Sequence, residues 1–158
     1  MLFLVAVRRR QRHESKFPFL GKWADVICGE YESVELAFVR TSRTDAYWMK
    51  ENRMVYSSRS YDPTSCDMYR LCLSMDDQLR IEARCHALSE HSPLVKISMA
   101  YLPTLIRERV ANGGVTGVDE CKELLGIGCT MLTPADVVLW CMLNKGATIS
   151  PPPVSSVA

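Results

Sequence analysis

The stretch Tyr69–Leu102, YRLCLSMDDQLRIEARCHALSEHSPLVKISMAYL, decides how the chain is expected to fold. Apolar residues occupy alternate positions on both sides of the acidic pair Asp76-Asp77, which is the spacing of half-buried strands. These positions are Leu71, Leu73 and Met75, then Leu79, Ile81, Ala83 and Cys85. Aspartate is favoured in tight turns because its side chain bonds nearby backbone amides. The pattern predicts a β-hairpin over about 69–88, followed by an extended segment over 94–102.

The flanking sequence predicts strands first and helices last. Residues 2–7 are predicted as a short strand or a loose apolar arm, and residues 31–40 alternate as a strand. Helices are predicted over 103–112, from a cap at Asp119 through Leu125 and, after a capping box at Thr133-Pro134-Ala135-Asp136, over 134–143. Gly126 and Gly146 are expected to end the last two.

This order of elements, without βαβ alternation, predicts an α+β fold. We expect an antiparallel β-sandwich or sheet in the first two thirds, with helices from the C-terminal third packed on it. Three parts are predicted: an apolar and basic N-terminal arm over 1–16, a single globular domain over 17–146, and a disordered Pro-rich tail over 147–158.

Composition limits the possible functions. The net charge of the 158 residues is +1, which excludes a highly basic protein that coats nucleic acid. Residues 1–60 nevertheless carry a net charge of +4, so an anionic partner is expected for that part. Since the sequence contains no secretory signal and no apolar run of roughly 18 residues, we expect an intracellular protein that is soluble or peripheral at the inner membrane face.

The sequence predicts no catalytic site, no metal site and no cofactor. Its seven cysteines include no CxxC pair, so buried hydrophobic thiols are expected rather than zinc ligands. Cys85 and His86 are neighbours on a predicted strand and would point to opposite faces. Asp76-Asp77 could serve acid–base chemistry or bind a cation, but a hairpin turn is the simpler interpretation.

Two groups of basic residues are candidates for binding anionic lipid or RNA. The first group is Arg8, Arg9, Arg10 and Arg12, beside an apolar heptapeptide. The second group is Arg40, Arg43 and Lys50, followed by Arg53 and Arg59, and it is interleaved with Tyr47, Trp48 and Tyr56. Positive charge mixed with aromatic rings suits RNA binding by electrostatics and stacking. A solvated arm and an ordinary polar surface over core aromatics are the alternatives.

The segment around the predicted hairpin resembles the matrix proteins of nonsegmented negative-strand RNA viruses, most closely those of bornaviruses. The matching residues are Met75-Asp76-Asp77, Leu79, Leu88-Ser89, Pro93, Lys96, Met99 and Leu102. The strand over 31–40 with Thr41-Ser42-Arg43 is similar in character. The resemblance covers about 35 residues and includes no catalytic signature, and neither the basic arm nor the tail has a counterpart in it.

The resemblance implies a virion structural protein that self-associates into tetramers and larger lattices. Such a protein would join the inner membrane surface to viral ribonucleoprotein, and would bind RNA and anionic lipid. Two alternatives remain open: a non-enzymatic protein-interaction module or viral accessory protein, and a hydrolase that uses Cys and His.

Overall fold

A computed structural model describes residues 1–8, 30–50, 53–91, 117–129 and 133–150 of the chain. These residues form an antiparallel sheet and three helices, which confirms the predicted α+β class. The strands are β1 Leu2–Arg8, β2 Tyr31–Val39, β3 Thr44–Lys50, β4 Arg53–Ser58, β5 Cys66–Arg70 and β6 Thr148–Ser150. The helices are α1 Met75–Glu90, α2 Val118–Leu125 and α3 Pro134–Asn144.

The sheet has the strand order β4-β3-β2-β1-β5-β6, and each adjacent pair is antiparallel. β1 lies between β2 and β5, so Leu4 is paired with Leu36 on one side and with Tyr69 on the other. Leu2 and Leu4 are fully buried. The strand alternative for residues 2–7 is therefore confirmed, and the separate arm over 1–16 is wrong for residues 2–8, because this apolar run is a central strand.

Helices cover one face of the sheet. α1 packs on β4, α2 on β2, and α3 on β1 and β2. Their buried residues join those of the strands in one core that includes Leu4, Val34 and Cys141. The opposite face has its own buried cluster, which includes Val5 and Met68.

The predicted hairpin over 69–88 is wrong, because residues 75–90 form helix α1. Ser74 caps the helix, since its hydroxyl oxygen accepts a hydrogen bond from the backbone N–H of Asp77 at 3.1 Å. Ile81 and Cys85, one turn apart, are the buried residues of α1, whereas Leu79 is 56% exposed. The alternation of apolar residues was coincidental, and the helical spacing of the buried pair determines the structure.

The predicted end of α2 and the predicted start of α3 are confirmed. Thr133 and Asp136 form the expected reciprocal capping box, and Gly126 ends α2 in the left-handed conformation. The cap predicted at Asp119 is wrong, because the N-cap of α2 is Gly117 and Asp119 lies in the first turn. The disordered tail predicted from residue 147 is wrong for its first residues, because residues 148–150 pair with β5 as β6.

The predictions of an extended segment over 94–102 and a helix over 103–112 lie outside the described residues. A turn follows Tyr61, where the side chain and the carbonyl oxygen of Asp62 accept hydrogen bonds from Thr64 and Ser65.

Candidate functional site

The structure distributes the predicted basic residues over separate places. Arg8 ends β1, where its guanidinium donates to the carboxylate of Asp67, with Nε 3.1 Å from Oδ2. The hydroxyl of Tyr31 donates to the same oxygen at 2.8 Å. The bond from Arg8 is the main cause that lowers the pKa of the Asp67 carboxyl. Arg8 is therefore partnered within the fold, and Arg9, Arg10 and Arg12 lie outside the described residues.

Arg40 and Arg43 also have carboxylate partners. The side chain of Asp45 is buried beneath them, with its Oδ2 3.4 Å from Arg40 Nε and 2.9 Å from Arg43 Nε. Arg40 is also hydrogen-bonded to Glu82 of α1, which accepts a hydrogen bond from the hydroxyl of Tyr56 as well. These contacts join the sheet to α1 and leave little uncompensated positive charge.

Lys50 has a different environment. It is the last residue of β3 and is paired directly with Arg53, the first residue of β4, and both side chains are exposed. Within the described part of the chain neither side chain lies within ion-pair distance of a carboxylate. We call Lys50 and Arg53 the basic pair. The sequence identified Lys50 and Arg53 as members of a basic group, and the register of the two strands places them side by side.

The face of the sheet that carries the basic pair also holds a buried ionic cluster. Glu35 is 7% exposed, and its carboxylate lies 3.2 Å from Arg59 and accepts a hydrogen bond from the Tyr61 hydroxyl at 2.8 Å. The guanidinium of Arg59 lies over the ring of Trp48, 3.9 Å from its centroid. Burial is the main cause that raises the pKa of the Glu35 carboxyl. Through Arg59, the cluster holds the Trp48 ring in place on the face of the sheet that carries the basic pair.

A groove of about 280 Å³ lies where α1 meets the C-terminal ends of α2 and α3. Its cations are Arg80, Arg84 and Lys145. Arg80 is hydrogen-bonded to Asp77, and Arg84 lies 2.9 Å from Glu123. Because helix C-termini carry partial negative charge, cations beside them are already favourable without a ligand. The groove is a weaker candidate for anion binding than the basic pair.

Asp76 and Asp77 occupy the first turn of α1, so the turn interpretation of this pair is wrong. Hydrogen bonds from Ser74 and Arg80 lower the pKa of the Asp77 carboxyl. An ionised carboxylate near a helix N-terminus stabilises the helix through its dipole. The pair therefore has a structural role in this position.

The cysteines that the structure describes are largely interior groups. Cys66, Cys85, Cys121 and Cys141 are buried, and burial raises the pKa of the Cys85 and Cys141 thiols to about 12. A thiol with such a pKa is protonated near neutral pH, whereas the thiolate is the nucleophile. Cys85 and His86 follow one another on a helix, not on a strand as expected. The ring of His86 packs against the ring of Tyr56 at a tilt of 52°, with centroids 4.1 Å apart.

Two further observations on the described residues concern metal binding and membrane-spanning helices. No group of three or more His, Cys, Asp or Glu side chains among them is arranged to hold a metal ion. None of the helices in this part of the chain is long and apolar enough to span a membrane.

The sequence interpretation missed an apolar surface on α3. Leu139, Met142 and Leu143 are 57%, 49% and 75% exposed, and they lie on the side of α3 that faces away from the sheet. We call these three residues the α3 outer face. The composition of the helix, PADVVLWCMLN, contained the signal, since an amphipathic surface helix would carry polar residues at these positions.

Comparisons of the chain with protein-family models, with curated proteins and with solved structures find no match.

Proposed function

We propose that the chain is a non-catalytic structural protein of the viral matrix type, which self-associates and binds RNA and anionic membrane surfaces through many weak contacts. The resemblance around Met75-Asp76-Asp77 suggests this class. The observation that carries the proposal is the α3 outer face.

α3 is apolar on both sides. Pro134, Val137, Val138 and Cys141 are buried against the sheet and the other helices, while the three residues of the outer face are exposed. A helix that is apolar all round is typically buried on every side. Contiguous exposed apolar residues on a soluble protein commonly mark an interaction surface. These properties support contact of α3 with a second protein surface.

A second copy of the chain is the partner we propose for this face. The outer residues occupy positions i, i+3 and i+4, so two copies of α3 can pack their side-chain ridges into each other. A two-fold contact of this kind uses the same patch on both subunits, and closed symmetric oligomers are the commonest assemblies.

Self-association would also strengthen the proposed binding to anionic partners. Carboxylate partners reduce the positive charge that each subunit can offer to an anion, since Arg8, Arg40 and Arg43 are already paired. Linking subunits converts later contacts into intramolecular ones and can raise overall binding by a factor of roughly 10² to 10⁴. An assembly of many copies could therefore hold RNA or an anionic membrane surface at which a single subunit binds weakly.

The double substitution Leu139→Asp and Leu143→Asp tests the assembly surface. Burying two carboxylates in an apolar contact is strongly unfavourable, so we expect this variant to have the mass of a monomer, 17.9 kDa, in light scattering after size-exclusion chromatography. Both positions are exposed in the single chain, so circular dichroism should be unchanged.

The matched control is Ala83→Asp with Ala87→Asp, which adds the same charge to exposed positions one turn apart on α1. We expect this control to keep the mass of the wild-type assembly. A wild-type mass for the α3 variant would exclude the α3 outer face as the assembly surface.

A further inference from the structure

We propose that the β3–β4 hairpin binds single-stranded RNA, with the basic pair holding a backbone phosphate and the stacked Trp48 and Arg59 side chains supporting an adjacent base. This inference rests on the proposed function and assigns its RNA contact to a defined surface.

The register of the two strands creates the phosphate site. Lys50 and Arg53 are directly opposite each other at the last pair of the β3–β4 ladder, so their side chains leave the same face of the sheet. The Cβ atoms of such a pair are about 4.5–5.5 Å apart. Two cations at this spacing can both donate hydrogen bonds to one phosphate group, and the planar guanidinium can do so with two N–H groups.

Among the described residues, the two positive charges of the basic pair face each other without a carboxylate partner, which favours an anion between the two side chains. Like charges directly opposite each other destabilise an antiparallel pair. Arg40 and Arg43 avoid this cost by sharing Asp45, whereas among the described residues the basic pair has no carboxylate within 4.0 Å. A bound phosphate would supply the missing negative charge.

A stacking surface adjoins the basic pair on the same face. The next pair of that face is Trp48 with Val55. The indole is partly exposed, its Nε1 donates to Ser57 at 3.1 Å, and Arg59 lies over its ring. A guanidinium and an aromatic ring held in this way offer a flat surface for a base, and such stacking tolerates any base.

RNA fits this surface better than a membrane does. Peripheral membrane binding combines basic residues with exposed apolar side chains that enter the acyl boundary. The large apolar side chains that the structure describes as exposed belong to Met1, α1, α3 and β6. Beside the basic pair, the next residues on the same face of the hairpin are Trp48 and Val55, and both are partly buried. The face of the hairpin that carries the basic pair therefore has the charge for a phosphate, while the described apolar groups suited to lipid insertion lie elsewhere.

The test measures binding of the full chain to a fluorescently labelled single-stranded oligouridylate by anisotropy, over a range of salt concentrations. We expect Lys50→Glu with Arg53→Glu to weaken binding at least tenfold. Loss of two phosphate contacts should also reduce the slope of log affinity against log salt by about 1.4 for a single strand. The milder pair Lys50→Ala with Arg53→Ala should show the same smaller slope, and circular dichroism checks that both variants fold.

Arg70→Glu with Lys122→Glu is the control, since it makes the same change in net charge on β5, which is not adjacent to the hairpin in the sheet, and on α2, which packs on β2. We expect this control to bind RNA within about twofold of the wild type. Equal weakening by the control, or wild-type affinity in the hairpin variants, would overturn the assignment.

A flotation assay with vesicles of phosphatidylserine and phosphatidylcholine distinguishes the membrane alternative. If the hairpin variants lose vesicle binding but keep RNA binding, the hairpin is a lipid contact and the inference is wrong. A wild-type chain that forms oligomers but does not bind the oligonucleotide would also overturn it, while leaving the proposed self-association in place.

Discussion

Replacing Gly117 by alanine is expected to lower the free energy of unfolding by at least about 3 kcal/mol, since backbone strain and overpacking act at the same position. Gly117 is the N-cap of α2 and has a φ of +72°. A Cβ at this position would overlap the backbone carbonyl oxygen of Val34 and lie 3.2 Å from its carbonyl carbon. Because Val34 is buried in β2, the strand cannot move without disturbing the core.

Substitutions at two other glycines separate the effect of backbone strain from the effect of overpacking. Gly126→Ala has a similar φ of +68° but no atom within 4 Å of the added Cβ, so it should cost about 1 kcal/mol for the left-handed conformation alone. Gly128→Ala has neither feature and should be nearly neutral. Urea unfolding of the three variants gives the comparison. A cost for Gly117→Ala no larger than that for Gly126→Ala would show that α2 does not approach β2 as closely as described.

Removing the guanidinium of Arg59 is expected to destabilise the fold by about 3 kcal/mol at pH 7, because a buried charge would lose its partner. Glu35 is 7% exposed, and Arg59 lies 3.2 Å from its carboxylate. Among the described residues, Arg59→Ala leaves the Tyr61 hydroxyl as the side-chain partner of the Glu35 carboxylate. Arg43→Ala is the control, since it removes an exposed arginine while Arg40 stays near Asp45, and it should cost less than about 1 kcal/mol.

The Arg59→Ala variant should also show a characteristic pH dependence. Burial raises the pKa of the Glu35 carboxyl above its ordinary value of 4.5, and Arg59 opposes this effect. The folded protein therefore holds a proton that the unfolded chain has released, and stability falls as pH rises from about 4.5. Without Arg59 the fall should be steeper, and a further Glu35→Gln substitution should remove it. Urea unfolding at pH 4.5 and pH 7 measures both effects. A pH dependence equal to that of the wild type would contradict the role given to the pair.

The sequence predicted those elements whose signals are local. The capping box of Thr133 and Asp136 and the stop at Gly126 depend on residues within one turn of each other, and both helices were found. The strand Tyr31–Val39 was found because its helix-facing residues alternate with those of the other face.

The misassigned region shows where such signals fail. The interval between Leu79 and Cys85 satisfies a two-residue period and, through Ile81 and Cys85, a helical one. The N-cap at Ser74 and the packing of α1 on β4 decide between them. The strands β3 and β4 were missed because Tyr47 is buried and the neighbouring Trp48 is partly buried on the opposite face, so the sequence shows no clear alternation.

The site could be predicted only in part because ion pairs form between distant residues. Arg8 and Asp67 are 59 positions apart, and Arg40 and Glu82 are 42 apart. The sequence shows how many charges exist, but the fold decides which of them are compensated. Lys50 remains a candidate because the strand register places Arg53 opposite it.

The measurement that tests self-association most directly is the mass of the wild-type chain by light scattering after size-exclusion chromatography, over a range of protein concentrations and at two salt concentrations. The proposal predicts the mass of an oligomer, at least twice the 17.9 kDa of one chain. This mass should increase further at low salt when anionic vesicles or RNA are added. A monomer under every condition would contradict the proposal and favour a protein-interaction module that uses the α3 outer face for a different partner.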